Sequence, residues 1–243
     1  MIAALSSVVI ILIALLGAAV PSLIWLFFFL RKDLHPEPKQ VILYTFTAGA
    51  LASLITVVFQ YAFKYLLIGE SGNLILMVVI LAFVEELFKF LAAFRSVSRD
   101  PAFDEAVDAM IYMIAAALGF ASVENLFIFA GSVSEISAAG LSEIWNTFIL
   151  RFFGATLLHS VLSAIVGFYW ARGRLRNKRF LYITFGIILV TILHGAFNYL
   201  ILKFDGIQAL IYPGILLVSA LSLVFVDFER LRGKFFKKSD PQS

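Results

Sequence analysis

Residues 74–94 read LILMVVILAFVEELFKFLAAF, a run long enough to cross a bilayer, with Glu85, Glu86 and Lys89 set in its inner half. About 20 apolar residues in helical form span about 30 Å of hydrocarbon. Such a run must be helical, because lipid offers no hydrogen-bond partner to an open backbone. An Asp, Lys or Arg at the centre of a membrane helix costs roughly 2.5–3.5 kcal/mol. A chain that keeps three ionisable groups on one such helix uses them, so this stretch sets both the fold class and where to look for function.

The rest of the chain agrees with that solvent. It is 62% hydrophobic and only 14% charged over 243 residues, with a mean hydropathy of +0.98. Soluble domains carry about 25% charged residues. Six more apolar segments flank the first, giving seven expected spans: 5–30, 41–68, 74–94, 106–130, 147–171, 180–202 and 208–227. Their length and the lack of ten-residue alternation point to an all-α polytopic helix bundle of about seven transmembrane helices and exclude a barrel. Fifteen of the nineteen Lys and Arg fall in four clusters: Arg31, Lys32 and Lys39; Arg95 and Arg99; Arg172 to Arg179; and Arg230 to Lys238. The positive-inside rule places all four in the cytoplasm, with the amino terminus outside and the carboxy terminus cytoplasmic. The formal charge of +3 is then a matter of topology and not a sign of nucleic acid. The chain reads as a single membrane-embedded domain over 1–228, with a short basic tail over 229–243 lying on the inner surface. It contains no cysteine, which removes thiolate nucleophiles, thiolate metal sites and disulfides.

Four consecutive spans carry polar groups at matching depth. At 1.5 Å per residue, Glu85 lies about 16 Å from the outer end of its span, His159 about 18 Å, His194 about 12 Å and Glu124 about 9 Å. A bundle that turns these faces inward gathers carboxylates and imidazoles around one cavity. Glu85 and Lys89 are spaced i,i+4 and are expected to pair. Glu86 lies about 100° around the helix from Glu85. Asn198, one turn after His194, is placed to orient that imidazole or to hydrogen-bond a reacting oxygen. Glu124 has Arg151 as a potential partner. Asp104, Glu105 and Asp108 sit near the cytoplasmic entry of the fourth span, where a solvated helix start favours acids.

Such a set suits hydrolysis: a Glu to activate water, imidazoles to move protons, and Asn as an oxyanion donor. Two His and a Glu also form a catalytic zinc set, with His159, His194 and Glu124 as candidate ligands. The sequence contains no H-E-x-x-H. Other functions open at this point are a proton- or cation-coupled transporter and a non-enzymatic membrane scaffold or immunity protein. A transporter would lead one to expect broken helices, but no proline interrupts the third to sixth spans.

These residues carry a resemblance. Asp33-Leu34-His35-Pro36-Glu37-Pro38 is similar to a D-x-x-x-E-P segment, with His35 where Glu often stands. Glu85-Glu86-Leu87-Phe88-Lys89 matches E-E-x-x-K, and Gly119 to Asn125 matches G-F-x-x-x-E-N. His159 matches an isolated helix histidine, and His194 to Asn198 matches H-x-x-x-N. Together, in order, they resemble the PrsW family of bacterial intramembrane proteases, in the superfamily of CAAX-prenyl endopeptidases and bacteriocin-immunity proteins. The resemblance implies a multi-pass enzyme of the bacterial cytoplasmic membrane that cleaves a single-span membrane protein, an anti-sigma factor in the family's named role. It implies Glu85 or Glu86 as water activator and His159, His194 and Asn198 as partners, with Glu124 beside them. Chemistry with no cofactor and chemistry with zinc both fit, and the metal-free route is favoured because these side chains suffice for it.

Overall fold

The structure, a computed structural model, describes residues 7–63, 73–134 and 140–236. Lys64, the far end of the second expected span, and Lys237 and Lys238 of the expected tail lie outside the described residues. Among the described residues the chain folds as helices α1 (Ser7–Leu30), α2 (Lys39–Phe63), α3 (Leu74–Val97), α4 (Asp108–Ser134), α5 (Gly140–Leu150), α6 (Leu157–Leu175), α7 (Arg179–Lys203) and α8 (Gln208–Leu231), with a π-helical turn over Arg151–Thr156 between α5 and α6.

Six of these rods are apolar enough to cross a bilayer by length and composition: five are α1, α2, α4, α7 and α8, and the sixth is the continuous stretch Ile144–Leu175. Helix α3 is the seventh expected span. At 24 residues it is about 36 Å long, and only its buried charges set it apart. Large apolar side chains such as Leu16, Leu43, Leu51, Val58, Ile188 and Val218 face outward, as a lipid solvent requires. The protein is a multi-pass membrane protein.

Local sequence explains where the helices stop. Pro36 and Pro38 keep the α1–α2 connection out of helix, and the Asp33 carboxylate takes the His35 N–H at 3.1 Å. Asn73 caps α3 by accepting the N–H groups of Ile75 and Leu76 at 2.9 and 3.3 Å. Helix α6 ends at Leu175, and two residues on, Asn177 adopts φ +54°, a left-handed conformation that Asn tolerates.

Helix α4 is the spine. It is buried on every side from Asp108 to Leu118 and packs against α1, α2 and α6. Small residues make this possible. A Cβ on Gly49 of α2 would sit 1.9 Å from the Ala116 carbonyl oxygen, and one on Gly119 would sit 1.8 Å from that of Phe46. The α2 and α4 backbones therefore touch directly, as in membrane helix pairs built on small residues. Helices α6 and α7 pair beside them, α3 closes the ring between α2 and α7, and α8 lies outside α6 and α7.

One end of the bundle is tied together. Ala106 N–H donates to the Lys234 carbonyl and Phe236 N–H to the Asp104 carbonyl, both at 2.7 Å. Phe103 packs on Trp170 and Phe236 at 4.7 and 5.2 Å between centroids. The stretch expected to begin a tail thus starts inside α8 and then clips onto the α3–α4 connection. That connection also departs from the solvated helix start expected of it. Glu105 is buried, and so is Asp108, whose carboxylate takes the N–H groups of Asp104 and Glu105 at 3.0 and 2.6 Å. The chain folds back over these acids, which helix-start statistics do not anticipate.

The Gly49 contact gives a paired test. Gly49→Ala forces the α2 and α4 backbones apart and is expected to cost about 1–3 kcal/mol. Gly214→Ala, at a position with nothing within 4 Å of the new Cβ, is expected to be neutral or stabilising by up to about 1 kcal/mol. Thermal unfolding in detergent compares the two.

Candidate active site

Helices α3, α4, α6 and α7 deliver their polar groups to one place. Glu85, Glu86, Lys89, His159 and His194 are all buried, Glu86 and Lys89 completely. The Lys89 ammonium donates to Glu86 Oε1 at 2.6 Å and to His159 Nδ1 at 2.8 Å. An ammonium can only donate, so His159 accepts at Nδ1 and carries its proton on Nε2. That N–H then donates to Glu124 Oε2 at 2.8 Å. The same Glu86 oxygen takes the Nδ1–H of His194 at 2.7 Å. His194 is left with an Nε2 lone pair, 3.6 Å from Glu85 Oε2. The two imidazoles sit edge to face at 5.3 Å.

The expected i,i+4 pairing of Glu85 with Lys89 is not formed. Lys89 pairs with Glu86 at i,i+3, the carboxylate that His194 of α7 also meets, while the same ammonium reaches His159 of α6. Glu85 turns to α2 instead, where Gln60 donates to its Oε1 at 2.8 Å. His194 is oriented by Glu86 and not by Asn198. Asn198 lies one turn further along α7, half-buried, and makes no hydrogen bond among the described residues.

A second polar chain adjoins the site through Glu124. Arg151, the first residue of the π turn, donates to Glu124 Oε2 at 3.3 Å and to the side-chain Oδ1 of Asn125 at 2.5 Å, so the expected Glu124–Arg151 pairing is present. The Asn125 amide donates to Thr156 at 3.0 Å. The π turn widens the helix here, a feature common at functional sites, and Trp25 of α1 takes up its Phe152 carbonyl at 2.9 Å. Gln60 and Thr156 escaped the sequence reading. Gln60 is marked only as an amide in an apolar span, and nothing in the sequence marks the π turn.

Charge and geometry bear on a metal. Three carboxylates (Glu85, Glu86, Glu124) face two cations (Lys89, Arg151), an excess of one negative charge. Glu85, His159 and His194 each offer a ligand atom, all within 4.8 Å of one another, and Glu85 Oε2 is buried with no hydrogen-bond partner. Two imidazoles and a carboxylate are a zinc-type donor set, so these residues fit such an ion once His159 exchanges one of its two hydrogen bonds for it. The carboxylate that shares this distance with both imidazoles is Glu85, whereas Glu124 reaches His159 and Arg151. An apolar groove of about 560 Å³, lined by Val57, Gln60, Tyr61, Met77, Leu81 and Phe127, opens beside Gln60.

The model of the PrsW family intramembrane metalloproteases matches residues 37–226. The chain belongs to the PrsW family. It is similar to Protease PrsW of Geobacillus kaustophilus, 27% identical over 72% of this chain and 73% of that one. Protease PrsW of Oceanobacillus iheyensis is 26% identical over 87% and 94%, and that of Bacillus subtilis 24% identical over 72% and 76%. No solved structure matches the chain. Family membership decides between the functions left open by the residues: the chain is an intramembrane protease, and the transporter and scaffold readings fall away.

The Lys89–Glu86 pair is a test of the site's construction. Lys89→Met leaves Glu86 buried without its cation and is expected to destabilise by about 3–5 kcal/mol. Adding Glu86→Gln removes the stranded charge and is expected to recover a large part of that loss, measured as a double-mutant cycle by unfolding in detergent.

Proposed function

We propose that Glu85 activates the attacking water for cleavage of a membrane-anchored protein, with Glu86, His159, His194, Asn198 and Glu124 completing the site. The observation that carries this is the facing of two acceptors, Glu85 Oε2 and His194 Nε2, 3.6 Å apart. Two lone pairs so close need a donor between them, and a water supplies both hydrogens while keeping an oxygen lone pair for a carbonyl. Glu85 takes a proton from that water as it attacks and returns it to the departing amine, so the carboxylate ends the cycle as it began. Gln60 fixes the other Glu85 oxygen. Glu86 and Lys89 hold the imidazoles in one tautomer, which preorganises the site before substrate arrives. Glu124 and Arg151 hold His159 from the other side. Asn198, with its amide uncommitted and one turn from His194, serves as oxyanion donor.

A zinc ion, if bound, would be held by Glu85, His159 and His194, where it would lower the pKa of a bound water to about 7 and polarise the scissile carbonyl.

In this reading the substrate is a single-span protein entering sideways from lipid, and the groove at Gln60 is its route to Glu85. An anti-sigma factor is the expected member of that class, on the resemblance alone. The membrane-embedded domain runs over 1–228, with the amino terminus outside and the basic 229–243 region on the cytoplasmic face. Support for this orientation comes from the contacts that bring the basic connections to one end: His35 with Glu105 at 2.5 Å, Arg174 with the Phe103 carbonyl at 3.3 Å, and the Lys234 clip.

Purified protein in liposomes with a single-span reporter tests the assignment. Glu85→Gln is expected to lower kcat by about 10²–10⁴, the usual contribution of a general base, with the unfolding temperature retained. Wild-type turnover in that variant would refute the role. Cleavage that persists in chelator with no zinc in the protein assigns the reaction to the carboxylate alone. Loss in chelator and recovery with added zinc assigns it to the metal.

A further inference from the structure

A second set of acids meets at the other end of α4, independent of the protease reading. Asp33 and Glu37 come from the α1–α2 connection and Asp108 from the first turn of α4. One oxygen from each lies within 4.8 Å of the others. Asp108 is fully buried and Asp33 only 7% exposed. Sixteen residues separate Asp108 from Glu124, about 24 Å along the helix, so this cluster and the imidazole pair are separate places.

The hydrogen bonds leave specific atoms over. Asp33 Oδ1 takes the His35 N–H, Asp108 Oδ2 takes two backbone N–H groups, and Glu37 Oε2 takes the Tyr112 hydroxyl. Asp33 Oδ2 and Asp108 Oδ1 remain, both buried and with no donor from another residue among the described residues; the Glu37 and Asp108 carboxyls face each other within hydrogen-bond reach, a contact that only a shared proton or a cation makes favourable. No Lys or Arg comes within ion-pair distance of any of the three carboxylates among the described residues. Unpaired buried carboxylates are costly, and either protons or a cation must relieve them. Burial already pushes the Asp33 and Glu37 carboxyls above the ordinary range, a cost that a bound cation removes for all three at once.

We propose that Asp33, Glu37 and Asp108 form a structural site for a hard divalent cation, Ca²⁺ or Mg²⁺, distinct from the imidazole-containing site. The donor set is all oxygen, with no nitrogen or sulfur, and such sets suit Ca²⁺ and Mg²⁺ over zinc. The ion joins the α1–α2 connection to the start of α4. Through Asp104 and Glu105 it also braces the clip that holds Lys234 and Phe236. Its task is to fasten three chain segments at one end of the bundle.

Terbium(III), an oxygen-seeking stand-in for Ca²⁺, tests this on the full chain in a neutral detergent, with Tyr112 beside the site as the sensitiser. Wild type is expected to give saturable emission on tyrosine excitation, displaced by Ca²⁺ or Mg²⁺, and a rise in unfolding temperature with the same ions. Asp33→Asn, which keeps the oxygen that caps His35, is expected to weaken terbium binding about tenfold or more, because ligand charge sets affinity at such sites, and to abolish the thermal shift. Glu85→Gln is expected to leave the emission intact, which separates this site from the active site. Absent emission, or emission of equal affinity in Asp33→Asn with no ion-dependent thermal shift, would overturn the proposal and assign the cluster to shared protons.

Discussion

The Lys89 ammonium, fully buried among apolar helices, is the constraint on which the rest of the site depends. A cation there is tolerated only if its protons are used, and they are spent on Glu86 and His159. That choice fixes His159 as an acceptor at one nitrogen and a donor at the other, which in turn engages Glu124. It also commits one Glu86 oxygen, which His194 shares. The orientation of both imidazoles, and the open lone pair facing Glu85, follow from one side chain that does not itself face Glu85.

This explains why α3 differs from its neighbours. The other spans satisfy the bilayer by being apolar, whereas α3 must bring two carboxylates and a cation to the middle of the bundle and surround them before they meet lipid. It sits between α2 and α7, and the close α2–α4 contact at Gly49 and Gly119 draws the ring tight on one side. Helix α4 links both polar sites of the molecule, with Glu124 and Asn125 in its second half and Asp108 at its first residue.

Much of this was legible in the sequence. Hydropathy marks the spans, and counting residues from their ends puts Glu85, His159, His194 and Glu124 in one slab. What counting cannot decide is which of two partners on the same helix face wins. Positions i+3 and i+4 are both within reach, so the choice of Glu86 over Glu85 by Lys89 depends on a histidine seventy residues away. Gln60 stayed hidden because a single amide in an apolar span has many bland explanations. Asp104, Glu105 and Asp108 read as a hydrated helix start because nothing local reveals that the segment after α8 returns to pair with this connection and that Glu105 and Asp108 are buried.

The π turn at Arg151–Thr156 has a consequence beyond the width it adds. An extra residue in one turn shifts the rotational phase of a helix, so α5 and α6 form a single rod whose two halves present offset faces. The half bearing His159 is locked to α4 and α7, while the half bearing Trp145 and Phe148 is indexed to α4 and the far end of the bundle. Both ends of the wide turn are bound to α4, Arg151 through Glu124 and Asn125 and Thr156 through Asn125, so the phase offset is pinned beside His159 and one rod serves two neighbours on two different faces.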